Sequence, residues 1–205
     1  MIIYDWFFIL KNYKIKGVVH IGANKCEELD FYKSLKIDNI IWIDANVQDT
    51  NNNILEYLVA DIDDKEYCLN ISNDNESTSI LNYSKNQKYS PNIYITEKKI
   101  ILSKTIDTIY NIHNIDYKSY NMWFISIQGA ELLALKGGIK NINNIDIICI
   151  KIYTQKIYEN CPLITDIDNF LHQYNFTRII TEITESSWGF GLFIKKMFVN
   201  SINKS

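Results

Sequence analysis

The stretch Gly17-Val-Val-His-Ile-Gly22-Ala-Asn24 and, about twenty residues on, Ile40-Ile-Trp-Ile-Asp44-Ala-Asn46 decides the fold. The first run is short, apolar and bounded by glycines, which reads as a buried strand. Residues 25–35 place Leu29, Tyr32 and Leu35 at helical spacing. The second apolar run is another buried strand, with Asp44 at its tip. Strands that are continuously apolar, rather than alternating, belong to a parallel sheet covered on both faces, and a helix between them supplies the crossover.

The same rhythm continues outward. Tyr57-Leu-Val-Ala60 reads as a third strand ending at Asp61, Glu66 to Ile71 as a half-exposed strand, and Ile100 to Ser103 as a further one. A helix is expected from Ile106, a buried strand over Met122 to Ile127, and a helix from Ala130 to Lys136 stopped by Gly137-Gly138. Asp146 to Tyr153 is the next strand. A helix over Leu163 to Tyr174, capped by Thr165 or Asp166, leads to a hairpin of Phe176 to Ile183 and Gly189 to Lys195. The expected fold class is α/β: a mainly parallel, Rossmann-like seven-stranded sheet in the order 3-2-1-4-5-7-6, closed by the antiparallel hairpin. Residues 17–196 form its single domain, 1–16 an N-terminal extension packing on it, and 197–205 a tail. Only ten residues, 47–56, separate Asn46 from the third strand, so the crossover helix there is expected to be one turn or missing.

Composition narrows the function. At 205 residues the chain suits one well-buried domain. A net charge of −3 supplies no large positive field, which argues against a general nucleic-acid binder. The four cysteines, Cys26, Cys68, Cys149 and Cys161, form no CxxC pair and no metal-ligand spacing, so reduced thiols and no metal are expected. No apolar run reaches the roughly 18–20 residues of a membrane span. The apolar opening carries Asp5 and lacks a basic leader, so an intracellular, cytoplasmic protein with no membrane partner is expected. Heavy use of Asn, Ile, Lys and Tyr beside a lone Arg178 follows A/T-rich codons and reports genome bias, as in a large DNA virus or an A/T-rich microbe.

Two motifs carry chemistry. At the first strand-to-helix turn, Gly22 and Ala23 are small enough for the backbone to approach a ligand closely. Asp44, about twenty residues further, stands where a carboxylate can accept both hydroxyls of a ribose. Nicotinamide and S-adenosylmethionine sites share this logic. Alone, Asp44 also reads as a helix cap.

With these in place the chain resembles the FkbM-like S-adenosylmethionine-dependent methyltransferases. The resemblance rests on Val19-His-Ile-Gly-Ala, Trp42-Ile-Asp-Ala-Asn, Thr105-Ile-Asp-Thr, Ile125-Ser-Ile-Gln-Gly-Ala-Glu-Leu-Leu-Ala-Leu-Lys-Gly137, Leu163-Ile-Thr-Asp-Ile-Asp and Trp188-Gly, in that order. It implies a class I methyltransferase sheet with S-adenosylmethionine as cofactor and a sugar or other small-molecule hydroxyl as acceptor. Position by position, it implies that Gly22, Ala23 and Asn24 line the methionine and ribose side, that Asp44 holds the ribose with Asn46 nearby, and that Asp61 faces the adenine. Asp61 also suits a turn with Asp63-Asp64.

The chain departs from that family where the chemistry is expected. Cys26 replaces a glycine and Val47 a proline, while Ser126, Lys151 and Phe190 stand where the family carries acids. Those acids would orient or deprotonate the acceptor. Gln128, Glu131, Lys151 and His20 are the replacement candidates, with Glu131 also reading as a first-turn carboxylate on its helix dipole. The competing expectation is a catalytically degenerate fold kept as a binding or assembly module. Ser77-Thr-Ser79 reads as a substrate-side loop or an ordinary turn. The four tryptophans are expected mostly in the core, and His113 and His172 at the surface or in caps.

Overall fold

The computed structural model describes residues 6, 9–47, 53–84 and 92–196. Its main element is a seven-stranded sheet in the spatial order β3-β2-β1-β7-β8-β10-β9. The strands are β1 (Val18–Ile21), β2 (Ile40–Asp44), β3 (Ile54–Glu56), β7 (Met122–Ile125), β8 (Ile147–Tyr153), β9 (Phe176–Ile183) and β10 (Trp188–Lys195). All neighbours pair in parallel except β10, which runs antiparallel to both β8 and β9. The sheet is mixed α/β and mostly parallel, with the terminal hairpin at its edge, consistent with a Rossmann-like methyltransferase.

The continuous apolar strands follow from burial on both faces. Side chains alternate across a strand, so Val19, Ile21, Ile43, Trp123, Ile125, Ile148 and Ile150 fill one core. Val18, Trp42, Met122, Phe124, Ile147 and Cys149 fill the other. The first core is closed by α2 (Ile106–Ile112), α3 (Glu131–Lys136) and α4 (Ile164–Gln173), through Ile106, Ile109, Ala134, Leu135, Ile167 and Leu171. The second is closed by Tyr32 of α1 (Leu29–Ser34) and by Trp6 and Leu10, which are 2% and 1% exposed. Trp6, Trp42 and Trp123 are core residues; Trp188 is not. The four cysteines are free thiols.

The third strand of the main sheet is not Tyr57–Ala60. Ile54–Glu56 takes that place, in register with Trp42 to Asp44, and Tyr57 breaks the run. Leu58–Val59 (β4) then pairs with β6 (Ile95–Lys104), which pairs with β5 (Glu66–Ser72), in a separate three-stranded sheet. The more apolar half of residues 54–60 thus leaves the main sheet, because it has its own small core of Leu58, Ala60, Leu69 and Ile71 to fill. Strand β6 begins at Ile95, five residues before the expected start at Ile100. Its first half is exposed and charged, so apolar pattern alone does not reveal it. The link from Asn46 to β3 is 47–53, seven residues rather than the ten expected; the crossover expected there lies largely outside the described residues, as does the tail 197–205. Helix α4 takes Leu163 as its N-cap residue rather than Thr165 or Asp166. Asp166 sits at its third position and accepts the Leu163 N–H at 2.8 Å. No helix among the described residues is long and apolar enough to cross a membrane.

Candidate functional site

In a parallel sheet of this order the chain runs outward from β1 to β3 and then returns to β7 on the other side of β1. A crevice opens at that reversal, beyond the carboxyl ends of the strands. A cleft of about 340 Å³ lies there, within the range of roughly 300–1,000 Å³ common for small-molecule sites. Its floor is Ile21, Gly22 and Ala23 after β1, Asp44 to Asn46 after β2, Ser126 to Gln128 after β7, and Lys151 and Tyr153 of β8. Its roof is the segment from Asp74 to Tyr83, which follows β5.

At one end the turn after β1 is fixed by backbone geometry. Gly22 has φ +90°, and a Cβ there would meet the Ser126 carbonyl oxygen at 2.1 Å, so only glycine permits the close approach to β7. Asn24 follows at φ +43°, a left-handed conformation that asparagine tolerates. The Asp44 carboxylate ties this turn to its own. Its Oδ2 accepts the Asn24 N–H and its Oδ1 the Asn46 N–H, both at 2.8 Å. An ionised carboxylate has about four acceptor directions, so one lone pair on each oxygen remains for a ligand in the cleft. Beside it, Ile43, Ala45, Leu58, Val59 and Leu69 give an apolar wall. The Asn46 side chain accepts from Lys99 Nζ at 3.4 Å.

At the other end Gln128 stands in a left-handed turn, φ +56°, followed by Gly129 at φ +97°. Glu131 makes that turn possible. Its carboxylate is fully buried and accepts the N–H groups of Ile127 at 3.0 Å and Gly129 at 2.9 Å. Burial pushes its pKa up to about 7. Ser79 in the roof donates its hydroxyl to the Gln128 carbonyl at 2.7 Å. The Gln128 side-chain oxygen then accepts from Lys151 Nζ at 2.9 Å and from the Tyr158 hydroxyl at 3.1 Å. Lys151 is only 8% exposed, and its ammonium lies 4.2 Å from the centre of the Trp188 ring. Burial lowers its pKa to about 8, against the opposing pull of Glu131.

The cleft therefore collects Gly22, Ala23, Asn24, Asp44, Asn46, Gln128 and Lys151 from the sequence reading. Two of its residues fall elsewhere. Asp61 does not line the cleft, because the chain has crossed into the second sheet before reaching it; it accepts the Tyr67 hydroxyl at 3.4 Å. Glu131 lies beneath the cleft rather than in its wall, and it shapes the Gln128 turn. His20 reaches the cleft but is core-like: it stacks on Phe124 at 4.2 Å, bonds the Tyr32 hydroxyl at 3.0 Å, and burial lowers its pKa to about 3. The exposed His113 terminates α2 and bonds the Tyr57 hydroxyl, and His172 contacts Lys196 at the surface.

Ser126, Lys151 and Phe190 all line the same cleft. The Ser77-Thr-Ser79 run belongs to its roof, held by Asp74, whose carboxylate accepts from Ser72 Oγ and from the Ser77 amide and hydroxyl. Tyr83, Tyr153, Tyr158 and Trp188 also line the cleft, and the sequence alone does not mark them as site residues. The Tyr158 and Tyr83 rings meet in a tilted pair with centroids 4.8 Å apart and bridge the roof to the segment after β8. Among the described residues the buried Tyr153 hydroxyl has no hydrogen-bond partner, although it borders the cleft. A buried polar atom left unpaired costs stability unless a ligand or water meets it.

Comparison with known proteins matches residues 5–178 to the family described as the Methyltransferase FkbM domain. No curated protein and no solved structure matches the chain.

Proposed function

The chain belongs to the FkbM methyltransferase-domain family, and from that premise we propose that it is an S-adenosylmethionine-dependent O-methyltransferase acting on a hydroxyl of a sugar or other small molecule. The observation that carries the reading is the Asp44 carboxylate, fixed by Asn24 and Asn46 at the tip of β2 with an acceptor direction to spare on each oxygen. A ribose presents two adjacent hydroxyl donors, which such a carboxylate is built to accept.

The residues present fit the cofactor. Gly22 removes the side chain that would block approach at the turn after β1, and Ala23 and Asn24 continue that wall. Ala45, Leu58 and Val59 offer apolar surface for a flat base beside Asp44. The bound cofactor supplies an electrophilic methyl group carried on a sulfonium. What the protein adds is position. Its tight turns hold the two ends of the cleft at fixed separation, and in-line placement of reacting atoms alone contributes several kcal/mol of the roughly 7–11 available from proximity.

Isothermal titration of the full chain with S-adenosylmethionine and S-adenosylhomocysteine tests the reading. Saturable binding of both, with one site per chain, is expected. Absence of binding to either would shift the weight to the alternative, a degenerate fold kept as a binding or assembly module.

A further inference from the structure

We propose that Lys151 is the proton acceptor for the substrate hydroxyl, and that the Tyr153 hydroxyl holds the same substrate. The proposal rests on the methyl-transfer reading above.

The geometry around Nζ carries it. In its amine form a lysine has two N–H bonds, one lone pair and the bond to Cε. One N–H of Lys151 is committed to Gln128 Oε1 at 2.9 Å, and the face of Trp188, 4.2 Å away, takes the second. The lone pair is what remains. The turn that carries Gln128 is held by Glu131 below, through the amides of Ile127 and Gly129, and by Ser79 above, on the Gln128 carbonyl. The Gln128 side-chain oxygen also receives the Tyr158 hydroxyl at 3.1 Å, which fixes the amide's orientation. Lys151 and Tyr153 are two apart on β8 and so share one face of the strand. Both border the cleft, and the Tyr153 hydroxyl has no partner among the described residues. A substrate oxygen near Nζ therefore has a second polar contact waiting beside it.

The step balances without another reagent. The O–H bond of the substrate breaks as its proton passes to the Nζ lone pair. The oxygen's electron pair forms the new bond to the methyl carbon, and the pair of the methyl–sulfur bond stays on sulfur. The ammonium so formed is met by Gln128 Oε1 and the Trp188 ring, and returns its proton to solvent between turnovers. Burial brings the Lys151 pKa to about 8, near the working range that suits a general base. The charged and titratable groups around it are Glu131 beneath, Glu76 and Asp74 in the roof, and the Tyr158 and Tyr83 phenols beyond Gln128.

The test begins on the protein alone. The fluorescence difference between wild type and Trp188→Phe, followed from pH 6 to 11, is expected to titrate near 8 and to lose that transition in Lys151→Met. A midpoint above 10, or no transition, overturns the proposal. With methyl hexopyranosides as probe acceptors, log kcat/KM is expected to rise with pH to a plateau above about 8. Lys151→Arg keeps the charge but cannot accept a proton, so a loss of about 100-fold or more in kcat is expected, with S-adenosylhomocysteine affinity within twofold of wild type. Retention of the rate by Lys151→Arg overturns the base role in favour of a fixed cation. Tyr153→Phe is expected to raise KM with an unshifted pH profile; unchanged KM removes Tyr153 from the site. Failure of wild type to bind S-adenosylhomocysteine instead overturns the methyltransferase reading itself, and the proposal with it.

Discussion

Asp44 Oδ2 and the backbone N–H of Asn24 lie 2.8 Å apart, joining the tips of two adjacent parallel strands across twenty residues of chain. The contact does two jobs. It pairs an amide that the left-handed Asn24 turn would leave open, and it fixes the direction in which the carboxylate faces the cleft.

Asp44→Ala is therefore expected to weaken S-adenosylhomocysteine by about 1.5–3 kcal/mol, the scale of hydrogen bonds to a charged group. That corresponds to roughly 10- to 150-fold in Kd. Calorimetric titration reads it directly. An unchanged Kd in a folded variant removes the ribose role from Asp44.

At the floor of the same turn, Gly22→Ala puts a Cβ at φ +90° against the Ser126 carbonyl. Strain of this kind costs about 1–3 kcal/mol before the clash is counted, so a loss of about 2–4 kcal/mol in urea unfolding is expected. A variant as stable as wild type contradicts the close approach of β1 and β7.

Glu131 leaves a signature in pH. Its folded pKa, raised to about 7 by burial, exceeds the unfolded value of about 4.3. The folded state then binds more protons than the unfolded chain between those values, so stability falls as pH rises through that window. Lys151 works in the opposite sense. Its folded pKa is depressed to about 8, so its contribution is present above about 10.4 and is lost as pH falls towards 8. Melting temperatures from pH 4.5 to 7 are expected to decline in wild type relative to Glu131→Gln. Parallel curves for the two proteins would contradict a buried, titrating Glu131.

Lys151→Glu is expected to destabilise the protein. A second carboxylate would join Glu131 near the Gln128 turn with no cation left to offset it. Uncompensated buried charge costs about 3–5 kcal/mol, readable by denaturant unfolding. A neutral effect would mean that the surrounding chain admits water at this position.

The readable parts of the site are those whose chemistry is local. Gly22 is demanded by a backbone angle, Asn24 and Asn46 sit in turns, and Asp44 ends an apolar run, so neighbouring residues announce each one. The place of Asp61, outside the cleft lining, is not legible for a different reason. Residues 54–60 are apolar enough for one strand, and nothing in their order reveals that Tyr57 divides them between two sheets. Glu131 is visible as a first-turn acid, but its contact with the amides of Ile127 and Gly129 depends on burial that only packing creates. Trp188, Tyr158 and Tyr83 arrive from the terminal hairpin and from loops far apart in the chain. Their sequence surroundings are those of any core aromatic, and their meeting around Gln128 is a product of topology.

The cleft has its floor on one sheet and its roof on the strand-connecting segment of another; the chain passes to the second sheet at Tyr57, returns from β6 through α2, and is latched by Ser79 on Gln128. The division gives the protein a modular inheritance. Insertions or substitutions between Asp74 and Tyr83 can alter which molecules are admitted while the Gly22 and Asp44 tips keep their shape.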